Sequence, residues 1–109
     1  MVQKDKLDWC YYFKSILWRP NNSGWIRVCS KDMNEGFSIR TNQTKVKDHY
    51  KNIADSGVEF YTCDDDDLDN EYGYYWPEKQ LDFEPLDYMQ NDSGHTKMFW
   101  KDGNKWQQL

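Results

Sequence analysis

The densest chemistry in this sequence is the run Cys63-Asp64-Asp65-Asp66-Asp67-Leu68-Asp69-Asn70-Glu71, with six carboxylates in eight consecutive positions. Such a cluster can ligate a hard cation, supply acid–base pairs, or present a negative surface to a cationic partner. The spacing argues against the first. Asp67, Asp69 and Glu71 alternate and Glu78 stands twelfth from Asp67, as in an EF-hand loop. The sixth position, where that loop turns on glycine, is Tyr72, and Gly73 comes one residue late. Trp76-Pro77 follows instead of a helix. We expect no resident metal and no other cofactor.

Acid–base and nucleophilic chemistry find little support. His49 falls beside Tyr50 and Ile53 on a predicted helix, as a residue at the edge of a core. His95 stands in Asp92-Ser93-Gly94-His95-Thr96, which reads as a solvated loop. Neither has a partner at a motif spacing. Cys63 adjoins four aspartates, which disfavour its thiolate and hence its nucleophilicity. No glycine-rich phosphate loop and no nucleophile elbow occurs. The sequence reads as a non-enzymatic protein.

The third use of the acids fits the charge distribution. Residues 1–57 hold ten Lys/Arg against six Asp/Glu, a net +4, whereas residues 58–109 hold four against thirteen, a net −9. From Glu59 to Asp92 the only base is Lys79, against twelve acids. This polarity bears on partners more than on fold. Six tryptophans, eight tyrosines and five phenylalanines argue against disorder. The 109 residues read as a single domain, residues 1–109, with an acidic loop at about 63–71.

The segments that must position this loop are legible from periodicity. Val46, Tyr50, Ile53 and Ala54 form a helical stripe and predict a helix over 44–56, with Thr44 as cap, Asp48 in its first turns and Gly57 as left-handed stop. Trp25–Cys29 and Phe37–Thr41 alternate as a hairpin, with Ile26, Val28, Phe37 and Ile39 inward and Trp25, Arg27, Ser38 and Arg40 outward. Residues 7–18 fit either strand or helix; their aromatic density favours a strand paired with Trp25–Cys29. Val58–Cys63, Tyr72–Trp76 and Gln80–Glu84 read as further strands. Thr96–Trp100 and Lys105–Gln108 read as a hairpin with Phe99 opposite Trp106 and Trp100 opposite Lys105. The expected fold class is α+β: a mostly antiparallel sheet with one principal helix packed on it.

Cys10, Cys29 and Cys63 are odd in number and widely spaced, and read as reduced packing cysteines. The first residues, MVQKDKLDW, carry no apolar leader, and no apolar run approaches a membrane span. A cytoplasmic location is therefore expected, and three glycosylation sequons beginning at Asn21, Asn42 and Asn91 read as chance matches.

Two surfaces follow. The first combines Asp64, Asp65, Asp66, Asp67, Asp69 and Glu71 with Asp82, Glu84 and Asp87, interleaved with Tyr74, Tyr75, Trp76 and Tyr88. On a strand, Asp82 and Glu84 would project carboxylates about 6.8 Å apart, roughly two phosphate steps of a DNA strand. In composition and size the chain resembles small acidic proteins that block nucleic-acid-handling enzymes, namely phage anti-restriction or anti-CRISPR DNA mimics and immunity proteins of nuclease toxins. That likeness implies a non-enzymatic inhibitor whose partner is a basic protein such as a nuclease, with no membrane and no direct nucleic-acid contact. The alternative is a small RNA- or single-stranded-DNA-binding module that uses Trp25, Arg27 and Arg40 as a basic-aromatic sheet face.

Overall fold

A computed structural model describes residues 2–21, 23–33, 35–40, 44–77 and 81–109, with the Thr44 side chain excepted. Thr41, the Thr44 cap, Glu78 and Gln80 of the sequence readings lie outside the described residues or side chains. Among the described residues seven strands form one antiparallel sheet: β1 Leu7–Phe13, β2 Trp25–Ser30, β3 Phe37–Arg40, β4 Val58–Cys63, β5 Glu71–Trp76, β6 Lys97–Asp102 and β7 Lys105–Gln108. Their order across the sheet is β3-β2-β1-β5-β4-β6-β7. Among the described residues three α-helices accompany it, α1 Lys14–Leu17, α2 Thr44–Asp55 and α3 Glu84–Ser93, with one 3-10 turn at Lys4–Lys6. The class is α+β and mostly antiparallel, but α2 is not alone on the sheet.

Alternation along the strands sends side chains to two faces, and each face has its own core. Cys10, Tyr12, Ile26 and Val28 pack beneath Tyr50, Ile53 and Ala54 of α2, with Phe37 and Ile39 half-buried at the margin. On the opposite face Tyr11, Phe13, Trp25, Val58, Phe60, Tyr75 and Met98 pack beneath Met89 of α3, flanked by Leu86 and Tyr88. Residues 7–13 are strand, paired with β2 as Tyr11↔Arg27 and with β5 as Tyr11↔Tyr75. The aromatic density of that segment is explained by its place: β1 lies within the sheet and feeds both cores.

The strand expected over 80–84 does not form among its described residues: Leu81–Phe83 lead into helix α3, which begins at Glu84. Only four described residues there, Leu81 to Glu84, alternate in polarity, and the helix is set by stronger local signals. Asp82 Oδ1 accepts the Glu84 N–H at 2.9 Å, Pro85 occupies the first turn, and Gly94 ends the helix at φ 71°. Phe83 is exposed, and Leu81 packs only partly against the core.

Two turn readings also change. Gly57 does not adopt a positive φ; a Cβ there would lie 1.9 Å from the Tyr75 carbonyl oxygen, so the residue serves close approach of α2's end to β5. In the last hairpin Trp100 faces Gln107 and Lys101 faces Trp106, two residues away from the expected register. Gly103 at φ 63° takes the first central position of the turn, where a left-handed residue is needed. The two-residue shift preserves every side chain's face.

No helix among the described residues is long and apolar enough to cross a membrane.

Candidate functional site

The acidic loop joins β4 to β5, and several of its aspartates have local structural work. Asp64 Oδ1 accepts the backbone N–H groups of Asp66 at 3.0 Å and Leu68 at 2.9 Å, and the Asp64 N–H donates to the Leu68 carbonyl at 3.2 Å. This is the turn that a short acceptor side chain supplies to its own backbone. Asp67 at φ 60° and Asp69 at φ 58° stand in the left-handed region, which aspartate tolerates better than most residues.

The segment between α3 and β6 then fastens the loop from outside. Thr96 donates its N–H to the Cys63 carbonyl at 3.0 Å and its hydroxyl to the Asp65 carboxylate. Lys97 Nζ donates to the Asp65 carbonyl at 3.2 Å and pairs with Asp67 Oδ1 at 3.0 Å. Hydrogen bonding to Asp67 holds the Lys97 ammonium above its ordinary pKa. Among the described residues, Asp66 alone of the four consecutive aspartates has no side-chain partner. The carboxylates nonetheless face solvent: the Asp67 and Asp69 side chains are 68% and 64% exposed.

His95 does not lie in a solvated loop. It is fully buried, with Nδ1 2.8 Å from Thr62 Oγ1 and Nε2 3.2 Å from Asp69 Oδ2. Nε2–H donates to the Asp69 carboxylate, and Nδ1 shares a hydrogen bond with the Thr62 hydroxyl. The ring is thus a strut between β4 and the loop. His95→Ala is expected to cost about 2–3 kcal/mol, through a cavity and an orphaned Thr62 hydroxyl. Urea denaturation checks this; an unchanged midpoint would contradict the packing described. His49 does sit at the core edge, half-buried, with Nε2 donating to the Val2 carbonyl at 2.7 Å.

The expected carboxylate row beyond Glu71 does not form on a strand: Asp82 is exposed just before α3, and Glu84 opens the helix. Glu84 pairs with Arg27 at 2.8 Å, and the fully buried Tyr11 hydroxyl lies beside that pair without a hydrogen bond of normal geometry. Burial, reinforced by Glu84, holds the Tyr11 hydroxyl well above its ordinary pKa. Burial first, and the Asp82 carboxylate second, do the same for Tyr75. Tyr75 is fully buried and so is no surface anchor. Tyr88 packs edge-on against Trp25 at 4.5 Å, while Asp87 and Asp92 are exposed on α3. Tyr74 and Trp76 are half-buried beside the α2 core, with Lys14 and Lys4 lying 5.1 and 5.3 Å over their rings. Glu71 accepts the Ser15 hydroxyl.

The alternative basic-aromatic face is likewise closed. Trp25 is 5% exposed beneath α3 and Arg27 is bound to Glu84, leaving Arg40 exposed with Nη1 donating to the Ser23 carbonyl at 2.9 Å. Helix α3 covers this face of the sheet at Trp25.

What the strands do bring together is a different aromatic patch. Tyr61 pairs across the sheet with Tyr72 and Phe99 at the foot of the acidic loop. Tyr61 stacks on Phe99 at 5.0 Å and meets Tyr72 at 5.1 Å and Trp106 at 4.7 Å. Tyr72 and Trp106 are each 37% exposed. These rings share the α2 side of the sheet but lie beyond the helix, outside both cores. Their alternation was visible in sequence; their convergence required the order β5-β4-β6-β7.

Among the described residues no group of three or more His, Cys, Asp or Glu side chains is arranged to hold a metal. All three cysteines are free and buried. Burial pushes each thiol up, assisted by Asp55 at Cys10, Asp8 at Cys29 and Asp67 at Cys63, so none is poised as a nucleophile. Comparison of the chain with family models, curated proteins and solved structures returns no match.

Proposed function

We propose that this protein is a non-enzymatic, cytoplasmic inhibitor that binds a basic, nucleic-acid-handling protein, in the manner of phage anti-restriction or anti-CRISPR proteins or of nuclease immunity proteins. The observation that carries this reading is a fastened loop presenting Asp65, Asp66, Asp67 and Asp69 to solvent beside the half-exposed patch of Tyr61, Tyr72, Phe99 and Trp106. A loop held by Thr96, Lys97 and His95 loses little conformational freedom on binding, so its charge is available for recognition. Clustered carboxylates steer encounter with a positive channel, and neighbouring rings supply the desolvated anchors that slow departure. Asp87 and Asp92 extend the negative field along α3. Inhibition is by occupation of the channel, with no covalent step.

Affinity capture tests this reading. The quadruple variant Asp64→Asn, Asp65→Asn, Asp66→Asn, Asp67→Asn keeps acceptor oxygens for the Asp64 turn while removing charge. Wild type is expected to retain a nucleic-acid-binding protein at low salt that the variant loses. Equal retention by both would remove the loop from the interface.

A further inference from the structure

We propose that the cleft between α2 and the neighbouring α1–β5 side of the sheet is a nucleotide site, taking an aromatic base together with its phosphate. It goes beyond the inhibitor reading and does not depend on the acidic loop. The cleft has a volume of about 560 Å³ and is lined by Tyr12, Lys14, Trp18, Lys51, Asp55 and Tyr74. That size is in the range of small-molecule sites.

The lining supplies the two chemistries a nucleotide needs. For the base there is Trp18 at the rim, 58% exposed, with the half-buried Tyr74 beside it; Tyr12, 2% exposed and part of the α2 core, only floors the cleft. An indole so exposed contributes little to either core, yet it is held in place by the Lys47 ammonium 4.3 Å from its ring. Stacking on such a ring tolerates any base. For the phosphate there are ammonium groups. Lys14 and Lys51 line the cleft and Lys47 stands at its rim, against the carboxylates of Asp55 and Glu59. Lys14 pairs with Glu59 at 3.2 Å and Lys51 with Asp55 at 2.7 Å, whereas Lys47 has no carboxylate partner among the described residues. The cleft is therefore net positive in a chain whose formal charge is −5.

Asp55 adds selectivity for a nucleotide over a simple anion. Its two oxygens accept from the Tyr12 hydroxyl and from Lys51, one each, and a carboxylate oxygen has a second lone pair to offer. A base amino group or a sugar hydroxyl is the donor that would use it, and neither is present on inorganic phosphate.

The test titrates adenosine monophosphate and a short oligoadenylate separately into the full chain at low salt, read by tryptophan fluorescence and amide chemical shifts. Trp18→Ala and the double variant Lys47→Ala, Lys51→Ala alter exposed or half-exposed positions, and unchanged melting will show that they fold. Trp18→Ala is expected to weaken binding at least about 10-fold. The double lysine variant should weaken it at low salt and flatten its salt dependence. An oligoadenylate that binds more than about 10-fold tighter than the mononucleotide identifies a unit of a single strand as the ligand; equal affinity identifies the free nucleotide. Absence of binding by both probes at millimolar concentration overturns the proposal, as does binding that survives both variants unchanged. The quadruple aspartate variant should retain nucleotide binding, which separates this site from the inhibitor surface.

Discussion

Gly73→Ala is expected to destabilise the protein by about 3 kcal/mol or more, a large share of the 5–15 kcal/mol that holds a typical domain together. Alanine ordinarily suits a strand better than glycine, so intrinsic preference predicts the opposite sign. Gly73 lies in β5 between β1 and β4, opposite Phe13 on one side and Phe60 on the other. A Cβ there would stand 1.9 Å from the Tyr12 carbonyl oxygen and 3.0 Å from the end of the Phe60 ring. The ring could shift, but the carbonyl belongs to the neighbouring strand's backbone and moves only if β1 and β5 part. Its φ is not positive, so the effect is steric and not one of backbone conformation. Thermal or urea denaturation of the purified variant measures it, and a midpoint at or above wild type would contradict the strand packing.

Phe60→Ala is expected to cost about 3–5 kcal/mol, the usual range for deleting a fully buried ring. Phe60 is fully buried at the centre of the α3-side core, 5.3 Å from Phe13 and 6.3 Å from Tyr11, both edge-on. The flanking rings sit on rigid strands and cannot collapse into the space, which places the cost toward the upper end. The next residue provides the contrast. Tyr61 points to the half-exposed patch, where rings keep solvent contact, so truncation of its exposed neighbour Tyr72 should cost no more than about 1 kcal/mol. Comparable losses at Phe60 and Tyr72 would mean that the patch is a third core and not a surface.

The legibility of this fold followed the length of each pattern. Helix α2 was readable because four apolar positions recur along twelve residues, and strand β4 because a six-residue run rich in β-prone types follows the helix. Leu81–Glu84 offered only four residues of alternation, and that short period outweighed Pro85 and Gly94, the better signals for α3. The place of α3 decides the neighbouring surfaces: it covers Trp25 and brings Glu84 onto Arg27, while Asp82 stays exposed. At the site itself, the acidic loop was plain from composition, but the residues that fasten it, His95, Thr96 and Lys97, lie about thirty positions away along the chain. A lone histidine carries no periodicity, so the burial of His95 left no trace that sequence reading could use. The aromatic patch was hidden differently: its four members were each visible, and only strand order shows that they meet.

Electrostatic recognition by the acidic loop is tested most directly by the association rate with a captured partner, measured for wild type and for the quadruple Asp64–Asp67→Asn variant at about 50 mM and 200 mM salt. Steering by clustered charge predicts that the variant associates at least about 10-fold more slowly at low salt and that its rate depends less on salt. Association rates that coincide at both salt concentrations would contradict it, and would leave the four aspartates as turn-formers and solubilising charges.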